Sequence, residues 1–136
     1  MKSYGIPEIQ EALAASPAIA AHEITVQQAS DDELTLLMPL TKIAERGGEP
    51  AMFHGGSISL LIDTAGDFAV ALAVGGGVPT INLRVDYLRP APGPELKAIA
   101  RTRRVGRSIA VADVDVLDTE GRRCAVGRGT YSTSVG

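Results

Sequence analysis

His54-Gly-Gly-Ser-Ile-Ser-Leu-Leu-Ile-Asp63-Thr-Ala-Gly-Asp-Phe-Ala-Val-Ala-Leu-Ala-Val74 is the stretch whose reading decides the fold. It reads as one long helix, apolar on nearly every face, with an acid, Asp63, in mid-length. Ala65, Gly66, Ala69, Ala71 and Ala73 are small enough for strands to approach the helix axis, while Leu60, Leu61, Ile62, Phe68 and Leu72 fill the space around it. A helix that is apolar all round is a buried one. At about 1.5 Å per residue it runs roughly 30 Å, the width of a small domain. Gly, Ser and Asp interrupt it too often for a membrane span, so the expectation is the core of a soluble domain.

Working outward, 136 residues suit one domain over 1–136, with 1–19 as a helical lead-in. A chain of that size buries about two-thirds of the surface it exposes when unfolded. A hydrophobic share of 45% and a charged share of 21% are those of a globular protein, which excludes disordered and fibrous classes. The start, Met-Lys-Ser-Tyr-Gly-Ile-Pro, has no apolar run behind a basic residue, and Cys124 is the sole cysteine. Neither secretion nor an internal disulfide is indicated, so a cytoplasmic setting is the default.

The net charge of −3 conceals an asymmetry. Residues 1–83 carry three Lys/Arg against ten Asp/Glu, whereas residues 84–136 carry ten against six. With three Tyr and two Phe to stack on bases and an acidic total, nucleic acid is a poor partner. A small polyanionic ligand suits the late cluster of basic residues better.

Ahead of the long helix, residues 6–15 read as a short helix with Pro7 and Glu8 in its first turn, ended by Ser16-Pro17. Residues 21–28 and 33–41 are apolar and β-branched, with a hairpin turn at Ser30-Asp31-Asp32. A loop from Lys42 to Phe53 leads into the helix, and Gly75-Gly76-Gly77 stops it. Ile81, Leu83, Val85 and Tyr87 then alternate with Asn82, Arg84 and Asp86 as a half-buried strand, broken by the prolines from Pro90 to Pro94. Strands at 95–105, 108–117 and 123–132 follow, turned at Gly106-Arg107 and Asp118–Gly121. Hairpin-length turns imply an antiparallel, meandering sheet of about six strands wrapped around the one long helix, an α+β arrangement.

That order, with His54-Gly55-Gly56 and an acid seven residues after the second glycine, resembles the hotdog-fold acyl-CoA thioesterases. The likeness is to the phenylacetate-catabolism and 4-hydroxybenzoyl-CoA branch, and it covers roughly residues 20–134. It extends through Asp63-Thr64, Thr80-Ile-Asn-Leu-Arg-Val-Asp-Tyr-Leu-Arg-Pro90, Val105-Gly-Arg-Ser108 and the Asp118-Thr-Glu-Gly121 turn. The resemblance implies thioester hydrolysis without a cofactor or metal, in dimers that often pair into tetramers. Carried over, the helix-start amide that binds the thioester oxygen falls on Gly55 and the base or nucleophile on Asp63. A hydroxyl that places water or the acid falls on Thr80. Many members of the branch carry Asn or Gln six residues before the His; here that residue is Gly48.

The chemistry fits these residue types. A thioester carbonyl gains negative charge on attack, and unpaired N–H groups at a helix N-terminus already point outward with the positive end of the dipole behind them. Gly55 and Gly56 let a substrate approach the backbone, although they also serve merely to turn the chain into a crowded helix. An ionised acid on an apolar helix costs several kcal/mol unless it is paired or reaches water. Asp63 is therefore either functional, with a pKa raised by desolvation and by Asp67, or bonded to a buried Thr, Ser or Arg for structural reasons.

His54 is read two ways, as a cap of the helix or as a donor near the thioester. His22 is isolated in sequence, and Ser57 and Ser59 read as helix-packing residues because no His-Asp pairing accompanies them. For the nucleotide end of CoA the candidates are Arg89, Arg104 and Arg107, with backbone amides at the Gly106 turn; a solvated strand edge is the other reading. Thr80 and Asn82 share the polar face of their strand and are placed at the acyl end.

Gly55 and Asp63, eight residues apart on one helix, lie about 12 Å apart along its axis and roughly 80° around it. They cannot grip one carbonyl together. If both act on it, the amide comes from one subunit and the acid from its copy, around a two-fold axis. Two other functions stay open: a hotdog hydratase or dehydratase, disfavoured because no His follows Asp63, and a non-catalytic acyl-CoA binding protein.

Overall fold

α1 (Ile6–Ala15) opens the computed structural model, which describes residues 4–134. Glu8 reaches back to accept the Gly5 N–H at 2.8 Å, and Ile9 and Leu13 are buried beneath the helix. The chain then departs from the sequence expectation. Residues 17–21 form a second short helix, α2 (Pro17–Ala21), where a strand was expected to start at 21. Proline cannot continue α1, but its fixed φ favours the first turn of a new helix, and the alanines after it propagate that turn.

Strand β1 (Thr25–Ala29) begins only after Glu23, whose φ of 55° turns the chain out of α2. It forms a hairpin with β2 (Glu33–Pro39). The following link, expected as plain loop, contains one 3-10 turn at Lys42–Ala44. α3 (Gly55–Val74) then runs unbroken for twenty residues and ends at Gly75, whose N–H still reaches the Ala71 carbonyl and whose left-handed φ of 91° then turns the chain out of the helix. After it come β3 (Thr80–Tyr87), β4 (Glu95–Val105), β5 (Ile109–Leu117) and β6 (Arg123–Ser132).

All six strands join one antiparallel sheet in the order β1-β2-β4-β5-β6-β3. Three hairpins follow the expected meander, but β2 pairs with β4, and β3 lies on the far edge beside β6. The helix causes this. Packed across the inner face, it carries the chain from the β2 side of the sheet to the opposite edge before the proline-rich loop brings it back. This is the α+β hotdog arrangement, one sheet wrapped on one central helix.

The inner face is built to let the helix in close. A side chain at Gly127 would meet Ile62 Cγ2 at 2.6 Å, and one at Gly66 would run into the Tyr131 hydroxyl, so neither position admits a Cβ. Leu61, Ile62, Ala65 and Ala69 are fully buried against Leu36, Leu96, Ala98 and Val116. α3 is long and apolar enough to cross a membrane, but 61% of its most apolar 18-residue window is buried inside the protein, which marks it as a core helix. The outer face is the opposite in character. There Asp113 accepts from Arg103 at 2.7 Å and Arg128 at 2.6 Å, with Arg123–Asp115 and Arg84–Asp86 alongside.

Candidate active site

A helix N-terminus begins with donors that have no partner in the helix itself, and their accounting at α3 leaves one over. The Gly56 N–H goes to His54 Nδ1 at 2.9 Å; the Ser57 and Ile58 N–H groups go to the His54 carbonyl at 3.0 and 3.1 Å. The His54 N–H goes to the Ala44 carbonyl at 2.7 Å. Among the described residues, the Gly55 N–H alone in this turn has no acceptor. His54 thus acts as the cap, which spends the Gly56 amide. With Nδ1 accepting, the proton of the neutral ring is on Nε2, exposed at the surface.

Gly55 opens into a cleft of about 350 Å³ whose wall includes Arg46, Phe53, Ile58, Tyr87 and Arg89. Tyr87 lies along Gly55, its ring 3.4 Å from where a Cβ would stand, an ordinary van der Waals contact. Its hydroxyl donates to the Gly55 carbonyl at 2.7 Å and meets Ser59 Oγ at 2.5 Å.

Asp63, two turns further along, is half-buried. Its Oδ1 accepts from Thr80 Oγ1 at 2.8 Å, and Tyr131 donates to its backbone carbonyl at 3.3 Å. Its side-chain partner is therefore an exposed hydroxyl on the sheet's edge strand rather than a buried core group. The Thr80 contact depends on a bulge. Between Thr80 and Asn82 the pairing of β3 with β6 slips by one residue, so Thr80 pairs with Tyr131 on the helix side while Asn82 pairs with Thr130 on the outer side. Strict alternation had put Thr80 and Asn82 together; the bulge separates them and leaves Asn82 away from Asp63.

Asp67, one turn further on, has a raised pKa. Burial pushes its carboxyl from 3.8 to about 6, opposed by the Val78 N–H at 3.1 Å and helped by the Asp63 charge. Between those pH values the folded chain keeps a proton that the unfolded chain has lost, so stability falls as pH rises through the window. Asp67→Asn keeps an acceptor for Val78 and removes the charge. It is expected to match the parent near pH 4 and to exceed its stability by roughly 2 kcal/mol above pH 6. Denaturant titrations at both pH values test this, and an identical difference at the two would contradict it.

The arginines divide into two sets. Arg84, Arg101, Arg103, Arg122, Arg123 and Arg128 each hold a carboxylate. Among the described residues Arg46, Arg89, Arg104 and Arg107 hold none. Arg89 and Arg46 flank Gly55 in the cleft. Arg104 and Arg107 sit at the other end of the sheet, where Val105, Ala110, Tyr131 and Thr80 form one rung across four strands. The Gly106 amide is engaged, closing the hairpin onto the Ile109 carbonyl at 2.8 Å. Gly48 is exposed with a left-handed φ of 81°, a backbone that favours glycine where the branch often has Asn or Gln.

Sequence reasoning did not place Arg46 beside Arg89 and missed the partner of Ser57. His22 Nε2 lies 2.9 Å from Ser57 Oγ and its Nδ1 2.8 Å from the Ala18 carbonyl, with both side chains buried. The pair ties α2 to the first turn of α3. Thirty-five residues separate the two, so no local pattern announces it. With no acid joining them and Ser57 absent from the cleft wall, they pack rather than react.

A sequence profile described as the thioesterase superfamily matches residues 51–125, the segment from just before the helix cap to β6. A Halobacterium salinarum protein named "Putative esterase" is 41% identical over 119 residues, covering 79% of this chain and 78% of that one. Over 52 residues the chain is 42% identical to the Escherichia coli medium/long-chain acyl-CoA thioesterase YigI, covering 38% of this chain and 34% of that protein. A crystal structure described as a protein from the thioesterase superfamily superposes with a TM-score of 0.89 at 31% identity, over 93% of this chain and 96% of that chain. With the fold and more than half of the chain in agreement, this protein belongs to the thioesterase superfamily.

Proposed function

We propose that the protein hydrolyses an acyl-CoA thioester to free acid and CoA at two identical sites, each shared between the protomers of a homodimer. The observation that carries this is the Gly55 N–H, the one donor of the helix start left without a partner, opening beside two arginines that hold no carboxylate. The superfamily membership makes the chain a thioesterase or esterase; the acyl-CoA substrate is the finer step, supported by the named activity of YigI.

In this reading the thioester oxygen lies on the Gly55 N–H, with the exposed His54 Nε2–H beside it. Asp63, aligned by Thr80, either takes a proton from the attacking water or attacks the carbonyl itself. Negative charge develops on the oxygen and is met by a donor that needs no rearrangement. The C–S bond then breaks, and the departing CoA thiolate takes up the proton. In the nucleophilic route the C–S bond breaks as a mixed anhydride forms on Asp63, and the water that opens the anhydride supplies the proton.

Strand β3 supports the shared site. It is an edge strand, with Ile81 and Tyr87, and Leu88 just past its end, all more than half exposed. At one end Thr80 holds Asp63; at the other Tyr87 holds Gly55. Pairing β3 antiparallel with its own copy, about a two-fold axis between Leu83 and Arg84, sets each Tyr87–Gly55 end against the partner's Thr80–Asp63 end. The same pairing carries the partner's hairpin tip, with Arg104 and Arg107, to the end where Arg46 and Arg89 lie. Four guanidinium groups without carboxylates suit the phosphates of CoA. A free CoA ester and a single buried thiol agree with a cytoplasmic setting.

A panel of acyl-CoA esters differing in chain length and aromaticity, read by free-thiol release, tests the proposal and assigns the acyl group. Release from at least one ester is expected. Tight binding of the esters with no thiol released would instead make the protein an acyl-CoA carrier, a reading to which the bare Gly48 position lends support.

A further inference from the structure

Two consecutive glycines make a poor start for a helix. Each costs about 1 kcal/mol of helix propensity relative to alanine, and neither has a side chain to hold its peptide in place. An oxyanion donor, by contrast, must be held within about 0.5 Å of the reacting geometry. Something outside the local chain has to steady this turn. The His54 cap secures Gly56, and His22 secures Ser57, but neither touches Gly55.

We propose that Tyr87 is the positioning residue for the Gly55 amide, with Ser59 bracing it; this inference rests on the thioester hydrolysis proposed above. The Tyr87 hydroxyl donates to the Gly55 carbonyl at 2.7 Å, so Ser59 Oγ, at 2.5 Å, is the donor to Tyr87. The resulting chain runs from Ser59, one turn into the helix, through the phenol to the peptide that follows Gly55. Meanwhile the Tyr87 ring lies 3.4 Å from where a Gly55 Cβ would be, packing the flank of the residue that lacks one. One side chain on a neighbouring strand therefore restricts both the carbonyl and the Cα of Gly55, leaving its N–H directed into the cleft. Tyr87 is more than half exposed, so its hydroxyl contributes little to the core and this arrangement serves the site rather than the fold.

Tyr87→Phe retains the ring and removes the hydroxyl. We expect kcat for the best ester of the panel to fall roughly 10-fold to 100-fold, with KM little changed and thermal stability near the parent's. Ser59→Ala should give a smaller loss in the same direction, and the double variant should be no worse than Tyr87→Phe alone, because both act through one chain. Independently of activity, the backbone amide resonance of Gly55 should shift in Tyr87→Phe.

A rise in KM with kcat unchanged would make Tyr87 a substrate contact and overturn the inference. An active parent and an equally active Tyr87→Phe, with the Gly55 resonance unmoved, would overturn it while leaving the thioesterase reading intact. A parent that releases thiol from no ester would end both.

Discussion

Asp63→Asn is expected to reduce acyl-CoA hydrolysis by about 10²–10⁴-fold, the range of a lost general base, while leaving the protein folded. The substitution keeps size and shape, and the Asn carbonyl can still accept the Thr80 hydroxyl that now reaches Oδ1 at 2.8 Å. What disappears is proton affinity and nucleophilicity together, so either route through Asp63 is closed. The arginines that would hold the CoA phosphates lie elsewhere, at the cleft beside Gly55 and at the β4–β5 turn. Binding of a non-hydrolysable thioether analogue should therefore be unchanged by calorimetry while thiol release collapses. Turnover equal to the parent's would remove Asp63 from the reaction.

Gly55→Pro should be equally decisive, and the backbone permits it. Position 55 is the first residue of α3, where proline is tolerated. The preceding His54 is already extended, at φ −70° and ψ 137°, as a residue before proline must be. The N–H that proline lacks has no partner inside the fold, so the folded state loses no hydrogen bond. The loss of one oxyanion donor is expected to cost about 10²–10³ in kcat.

Mixing the two dead variants then tests the shared site. In a heterodimer, the Asp63→Asn protomer supplies an intact Gly55 and the Gly55→Pro protomer an intact Asp63, so one of the two sites is whole. Random exchange of subunits at equal concentrations should restore about a quarter of parental activity. If each protomer contained its own complete site, the mixture would remain as inactive as its components. That outcome would refute the two-fold arrangement while leaving both residues their chemistry.

Local chemistry made much of this legible. α3 is apolar all round, the strands alternate, and both signals lie in residues next to one another. Asp63 stood out for the same reason, a charge on a helix with no local partner. Ser16-Pro17 stops α1 as read, but the same dipeptide also starts α2, which the pattern did not announce. Thr80 and Asn82 are two residues apart, and alternation assigns them one face. Only the slipped register against β6 turns Thr80 inward. His22 and Ser57, Tyr87 and Gly55, and Arg46 beside Arg89 are joined across the fold, where no spacing rule reaches.

The chain's order of residues by itself determined most of the elements, the buried helix and the candidate acid and glycine on it, since periodicity and charge are properties of neighbours. The tertiary structure alone decided strand order, the face Thr80 presents, and which helix-start donor remains open. Those depend on pairings between distant segments, where one bulge or one side-chain hydroxyl settles what a polar group meets.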